Sequence, residues 1–523
     1  MATVALATNP LPRRLRVGLF ADARLQPRWV VEAFDKVARS DFAEIVLIAL
    51  AEGPAKGCGL LQSAYQRVDR WAFGADLCSE PHDLAALAPQ RRMVNLESEL
   101  HLQNLDVAFV LGDVAEELVE GIARYGVWRF CFGDDAVEHE GLAGLREVAQ
   151  GAPASVSGLK VRLAPGAPTR LAYRSWARTY ALSVARNRRQ LLAKTAEFPC
   201  RALRELHHCG AGWIKQCKPV QERTGSTEGN LGVTSLARVG ARIARRAVTK
   251  ALYLDQWSLA FRFSHDSAVP PDLARFTRIV PPKDRDWADP FPVERNGRYY
   301  IFFEELPYAA GKAHISMLEV DRSGRWSAPV RVLERDYHLS YPFLVEHEGG
   351  LYMVPESGRN RTIEIYRCVD FPLEWRLERV LLDGLRCVDA TLHRAADRWW
   401  MFANGAAGES RVFDDELHLF HADRLLGEWR AHPRNPVKSD ARCARPAGGL
   451  FVRNGALHRP AQICVPRYGA GLSINRVLRL TPHEYAERQT ERFLPGGDVL
   501  GLHTVNRAGE LTVVDLFRQR SRI

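Results

Sequence analysis

The sequence predicts two fold classes in one chain: an α/β unit built on a parallel sheet over residues 14–220, followed by an all-β, five-bladed β-propeller over residues 255–523. Three observations carry this expectation. Short apolar runs alternate with helical periodicity in the first part. In the second part a four-strand pattern recurs at a period of about 50 residues. Between them, residues 221–254 hold a polar, glycine-bearing linker and a basic amphipathic helix.

In the first part, RVGLFA (16–21) and AEIVLIAL (43–50) read as buried strands, with PRWVVEAFDKVA (27–38) between them at helical spacing. LDVAFVLGD (105–113), a helix over 115–125 and GVWRFCFGD (126–134) repeat the beat. A long helix from Tyr173 to His207 is expected to close the unit. Residues 1–13 read as a disordered tail. Its arginines follow rather than precede the weakly apolar residues, the reverse of a secretory signal, so a cytoplasmic location is expected.

The chain has 523 residues, 46% apolar and 26% charged, which is the composition of a globular protein, and no apolar run approaches the roughly 18–20 residues of a membrane-spanning helix. Ten cysteines without a C-x-x-C pair imply neither a zinc knuckle nor a disulfide framework. The net charge of +10 is spread from end to end rather than gathered in a tail, and arginine dominates it, so no nucleic-acid partner is expected.

After the first strand stands FADARLQP, with no G-x-G-x-x-G to cradle a dinucleotide, and no cofactor is identified. The order of strands and helices resembles the formyltransferase N-terminal fold. That resemblance places an Asn-x-His at the strand GVWRFCFGD, where this chain holds Arg129 and Cys131. The imidazole and amide that polarise a formyl donor are missing, so a degenerate scaffold or a binding domain is expected there, and formyl transfer is not.

In the stretch 235–254, Leu236, Val239, Ile243 and Ala247 share one helical face, while Arg238, Arg242, Arg245, Arg246 and Lys250 surround it. Two readings stand: the apolar face packs against the protein and the arginines are solvated, or the helix makes peripheral contact with an anionic membrane.

From Asp255 onward, ADPFPVERNGRYYIFFEE (288–305), SYPFLVEHEGGLYMVPES (340–357) and VDATLHRAADRWWMFAN (388–404) share one plan: strand, tight turn at Asn-Gly, Gly-Gly or Ala-Asp, strand. A third strand and a tryptophan, Trp326, Trp375 or Trp429, follow each. Weaker hairpins at 444–463 and 501–516 complete five repeats.

In a propeller the first strand of every blade starts at one end of the central channel and the second ends there. This gathers Asp289, Tyr341, Asp389, Arg445 and His503 with Glu304 or Glu305, Glu356, Asn404 and Gln462. Carboxylates whose environments split them into an acid and a base are what glycosidic chemistry requires. Arginines supply bidentate donors for an anionic substrate group.

These hairpins resemble the N-terminal domain of the plant glucosamine inositolphosphorylceramide transferases, a domain found in bacteria behind a formyltransferase-like domain. More distantly they are similar to five-bladed glycosidases, the arabinanases, xylosidases and invertases, whose first blade carries an Asp-Pro. The resemblance implies Asp289, before Pro290, as base or nucleophile, Glu356 as acid and Asp389 as an orienting carboxylate. Substrate binding is then expected of Glu305, Tyr341, Asn404, Arg445, Arg459, Gln462 and His503, with Arg445 and Arg459 on an anionic group. The expected partner is a glycan or activated sugar, in bacterial surface polysaccharide or glycolipid assembly, acted on by a glycosyl hydrolase- or transferase-like enzyme. The alternative is a non-catalytic saccharide-binding or scaffolding protein. No metal-binding loop signature is present.

Overall fold

The apolar runs of the first part form one seven-stranded sheet in the spatial order Met93–Asn95, Ala43–Leu50, Leu15–Ala21, Val107–Leu111, Val127–Phe132, Ala154–Arg162, Arg170–Arg178. Its first five strands run parallel and its last two pairings are antiparallel, so the sheet is mixed rather than all-parallel. The structure, a computed structural model, describes residues 13–50, 60–74, 77–87, 93–95, 104–133, 143–220, 233–265, 272–406 and 412–522. Residues 1–12 of the expected tail 1–13 and the linker at 221–232 lie outside them, while Arg13 is described and donates to Asp106.

Two helix expectations are corrected. Arg170–Arg178 is a strand, and the remaining stretch breaks into the helices Val184–Thr195 and Phe198–Cys209. Ser183 caps the first by accepting from the Arg186 N–H. Pro199 opens the second, in a first turn where its missing N–H costs no helical bond. Over 115–125 only the single turn Glu116–Leu118 forms, followed by Gly121 at φ 80°.

The chain divides into two units between Ile243 and Ala244. The helix Val233–Leu252 spans that point, and in the first unit its Val239 is buried with Leu145, Val148 and Val184. No helix among the described residues is long and apolar enough to cross a membrane.

The second unit is a five-bladed propeller. Blade 1 runs Arg285–Arg295, Arg298–Pro307, His314–Val320, Val330–Leu333, and blade 2 runs Ser340–His347, Gly350–Glu356, Ile363–Asp370, Glu374–Leu382. Blade 3 is Cys387–Ala395, Arg398–Gly405, Glu416–Ala422, Arg430–Ala431; blade 4 is Phe451–Arg453, Ala456–Ile463, Gly471–Leu480, Tyr485–Phe493. Blade 5 joins both ends of the repeat region: Val505–Ala508 and Leu511–Ser521 are completed by Tyr253–Phe263 and Thr277–Ile279. The pairing runs from Tyr253 opposite Ser521 to Phe263 opposite Leu511, and it ties the ring shut.

The hairpins turn where positive φ is tolerated: Asn296-Gly297 at 52° and 74°, Glu348-Gly349 at 48° and 76°, Asn454-Gly455 at 52° and 70°. The second therefore turns one residue before the Gly-Gly pair expected. Apolar seams glue neighbouring blades, with Phe302, Met353 and Trp375 between blades 1 and 2 and Val354, Met401 and Trp429 between blades 2 and 3. Each such side chain contributes roughly 1.5–3 kcal/mol by leaving water. Trp326 differs from its two counterparts and stays 45% exposed.

Candidate active site

The first strands of blades 1 to 3 break at the same repeat position. Pairing jumps from Ala288 to Phe291, from Ser340 to Phe343 and from Val388 to Thr391. Just past each break, Asp289, Tyr341 and Asp389 adopt φ of 51°, 43° and 56°. A left-handed backbone costs a non-glycine residue about 1–2 kcal/mol, and bulges of this kind re-aim side chains. Here they aim two carboxylates and a phenol across the blades.

Asp289 is buried and fully engaged. Its Oδ1 accepts from Thr504 Oγ1 at 2.7 Å and lies 3.0 Å from His503 Nε2, while its Oδ2 accepts from the Tyr341 N–H at 3.2 Å. The other ring nitrogen of His503 is 3.0 Å from Asp515 Oδ2. Burial works against charge at His503, but Asp515 and Asp289 outweigh it and push its pKa up to about 10. Burial likewise opposes ionisation of Asp289, yet His503, then Thr504 and Arg445, hold its carboxyl below the usual carboxylate range. Asp289, His503 and Asp515 place three ligand-type atoms within 4.8 Å of one another. With a carboxylate oxygen 3.0 Å from each ring nitrogen, the trio has the arrangement of an ion-paired triad.

Asp389 takes Arg445 on both oxygens, at 2.6 and 3.2 Å, and Gln462 Nε2 at 3.0 Å. The Arg445 guanidinium lies over the Tyr468 ring at 4.7 Å, and Tyr468 also abuts His503.

Two further acids lie along the second strands, Glu304 within Arg298–Pro307 and Glu356 at the end of Gly350–Glu356. Across the sheet Glu304 pairs with Ala288 and Glu356 with Ser340. Both keep some exposure, whereas Asp289 and Asp389 lie deeper. Glu304 Oε1 is 3.2 Å from His338 Nε2. The Ala313 N–H donates to Nδ1 of the same ring, so the network assigns the ring proton to Nε2, facing the carboxyl. Glu356 accepts from Ser340 Oγ at 3.0 Å and from the Gly358 N–H at 2.6 Å. Burial pushes the carboxyls of both Glu304 and Glu356 above the usual range; His338 opposes it in each, and Asp289 and Asp389 respectively reinforce it.

The structure therefore brings Asp289, Glu356, Asp389, Arg445, Gln462 and His503 to one end of the channel. Four other expectations change. Tyr341 is fully buried and bridges blades: its Oη meets Thr391 Oγ1 at 2.8 Å and accepts from the Gly448 N–H at 2.7 Å. A Cβ on Gly448 would stand 2.2 Å from the Val505 carbonyl oxygen, so only glycine allows that approach. The belt closes through the Gly449 N–H to Asn506 and from Asn506 to the Pro290 carbonyl. Glu305 sits one residue past Glu304 and so points to the opposite face, where Arg285, Trp287 and Ser316 hold it within blade 1. Arg459 is buried in blade 4 on Glu487 and the carbonyls of Cys443 and Ala444. Asn404 occupies the repeat position of Glu304 and Glu356 but is wholly buried, with neither amide atom hydrogen-bonded among the described residues.

Sequence reasoning missed His338, Tyr468, Thr504 and Asp515. His338 precedes the first strand of blade 2 and Tyr468 lies between strands of blade 4, outside the repeat positions. Asp515 had a signal: it faces Leu259 in the register of the closing strands, a charge in an otherwise apolar run.

Residues 283–495 match the family described as glucosamine inositolphosphorylceramide transferase 1, N-terminal. The match takes in Asp289, Glu304, Glu356, Asp389 and Arg445 and stops short of His503 and Asp515. The protein of that name from Oryza sativa subsp. japonica is 34% identical over 203 residues, 38% of this chain and 27% of its own length. The one from Arabidopsis thaliana is 30% identical over 203 residues, 38% of this chain and 26% of its own. The chain thus spans about a quarter of the length of the curated relatives it matches. Among solved structures, a family 117 glycoside hydrolase from Zobellia galactanivorans aligns at 12% identity over 51% of this chain and 90% of that one, TM-score 0.34. The catalytic domain of an α-L-arabinofuranosidase from Coprinopsis cinerea aligns at 10% identity over 52% and 98%, TM-score 0.34.

Proposed function

We propose that the chain is a carbohydrate-active enzyme whose propeller mouth cleaves or transfers a glycosyl group, with Asp289 as base or nucleophile and a glutamic acid at the mouth as proton donor. The observation that carries the reading is the convergence of Asp289, Glu304, Glu356 and Asp389 on one channel end in two environments. Asp289 is held ionised by His503, while burial favours the protonated form of Glu304 and Glu356. Of the two glutamic acids, Glu304 has one oxygen engaged among the described residues, by His338, which leaves the other to carry a transferable proton. Glu356 has both oxygens engaged. Asp389 and Arg445 orient the site as a bidentate pair. Likeness to the transferase N-terminal family supports a sugar or glycoconjugate as substrate and a biosynthetic setting.

No formyl-transfer role is assigned to the first unit. Arg129, at the position the formyltransferase resemblance compares with an Asn-x-His, is 3.1 Å from Glu116. A non-catalytic, saccharide-binding propeller is the reading favoured by the burial of Tyr341, Asp289 and Asp389. Glu304 and Glu356 keep partial exposure, which supports the catalytic one.

The test is a thermal-shift screen of sugars, oligosaccharides and sugar nucleotides on wild type, Asp289→Asn and Glu304→Gln, followed by turnover assays on each hit. A ligand that stabilises all three proteins but is turned over only by wild type is expected. A ligand turned over by none supports binding alone, and no shift with any sugar removes the carbohydrate reading.

A further inference from the structure

The helix Val233–Leu252 has two parts with different surroundings. Its N-terminal part is held in the first unit by buried Val239 and by Arg242, which donates to the carbonyls of Ala181 and Val148. Beyond that point the apolar side chains are uncovered: Ile243, Val248, Leu252 and Tyr253 are 41%, 57%, 45% and 42% exposed. Ala244, Ala247 and Ala251 are exposed with them. At roughly 100° per residue, positions 243, 244, 247, 248, 251 and 252 fill one half of the helix surface.

The basic residues are placed with respect to that half. Arg245 and Arg238 lie along one of its edges and Lys250 along the other, all exposed. Arg246 lies further round and bonds to Asp255. The helix contains no acidic residue. An apolar arc about 15 Å long, bordered on both sides by long cationic side chains, matches a surface that is apolar beneath a layer of negative charge. A nucleic acid offers the charge without the apolar layer. An ordinary protein face offers no reason for cations on both edges and no acid between them.

We propose that residues 243–253 lie in the surface of an anionic bilayer, with Ile243, Val248 and Leu252 among the acyl chains and Arg245 and Lys250 at the headgroups. The proposal is independent of the sugar chemistry assigned to the propeller. It places the chain at a membrane surface and leaves open what the propeller acts on.

The experiment is flotation of the full chain with unilamellar vesicles of phosphatidylcholine alone or with one quarter phosphatidylglycerol, at low and high salt. Wild type is expected to float with the anionic vesicles only and to be released by salt. Val248→Asp, at an exposed position, and the pair Arg245→Glu and Lys250→Glu should each weaken binding about tenfold or more. A control pair of equal charge change on the propeller surface, Arg325→Glu and Arg376→Glu, should bind as wild type does; both side chains are exposed. Thermal melts establish that every variant is folded. Failure of wild type to bind anionic vesicles overturns the proposal. So does binding by Val248→Asp equal to wild type, or loss in the control pair equal to that in the helix pair, since either outcome assigns the attraction to overall charge.

Discussion

His503 Nε2 lies 3.0 Å from Asp289 Oδ1, a contact between residues 214 positions apart that ties the last blade to the first at the site itself. With Asp515 on its other nitrogen, the ring is an imidazolium between two carboxylates. The arrangement fixes the charge of Asp289, and it makes the charge of His503 part of the fold.

A pH dependence follows. His503 keeps its proton in the folded chain to about pH 10, against about 6.5 when unfolded. Its stabilisation is therefore complete below about pH 6.5 and is lost as pH rises toward 10. Chemical denaturation of wild type between pH 6.5 and 10 should show this decline. His503→Gln should start lower by about 3–5 kcal/mol, because two buried carboxylates lose their cation, and should decline less steeply. Parallel pH profiles for the two proteins would count against the imidazolium.

The buried Tyr341 predicts a purely structural loss. Tyr341→Phe keeps the ring and removes the hydroxyl that the buried Gly448 N–H donates to. The expected cost is about 1–3 kcal/mol in denaturant unfolding. Ligand binding at the mouth should be unchanged, and a weakened ligand with unaltered stability would move Tyr341 back among the substrate contacts.

The ring and its repeat were legible because a two-residue alternation ending in a tight turn marks a hairpin regardless of what surrounds it. The same geometry picked out Asp289, Asp389, Arg445 and His503 from positions about fifty residues apart. Side-chain direction was harder to read. Glu304 and Glu305 differ by one position, and one position is the difference between two faces of a strand. Arg459 lies three residues from Gln462 on the same strand and faces away from the mouth for the same reason of parity, finding Glu487 instead. His338 and Tyr468 come from connections, whose paths depend on tertiary packing rather than on local pattern. In the first unit, helical periodicity at 173–207 concealed a strand, since an antiparallel partner at Ala154–Arg162 stabilised extended backbone that local spacing did not favour.

The hairpin turns carry a test of backbone strain. Asn296 and Asn454 occupy the first left-handed turn position in blades 1 and 4, whereas blade 2 places Glu348 there at φ 48°. Asparagine tolerates this region better than glutamate, and the surface ion pair between Glu348 and His347 contributes little. Glu348→Asn should raise stability by about 0.5–1 kcal/mol, read as a small rise in Tm. A fall would mean that the carboxylate does more than the backbone suggests.

The two kinds of acid at the mouth should respond in opposite ways to neutral substitution. Burial keeps the Glu304 carboxyl above its ordinary pKa, so ionising it costs the folded state, and that cost grows as pH rises past the unfolded value near 4.5. The side-chain amide of Glu304→Gln imitates the protonated acid and can still accept from His338, so this variant should be as stable as wild type or more stable at pH 7. Asp289 is the reverse case: its ionised form is favoured, with stability present above about pH 3.8 and lost as pH falls through the lower folded value. Asp289→Asn should therefore cost about 3 kcal/mol at pH 7, because the buried imidazolium loses one of its two partners. Denaturation of both variants at pH 7 and pH 5 measures the contrast. Equal losses would show that the two carboxyls share one environment and cannot serve as an acid and a base.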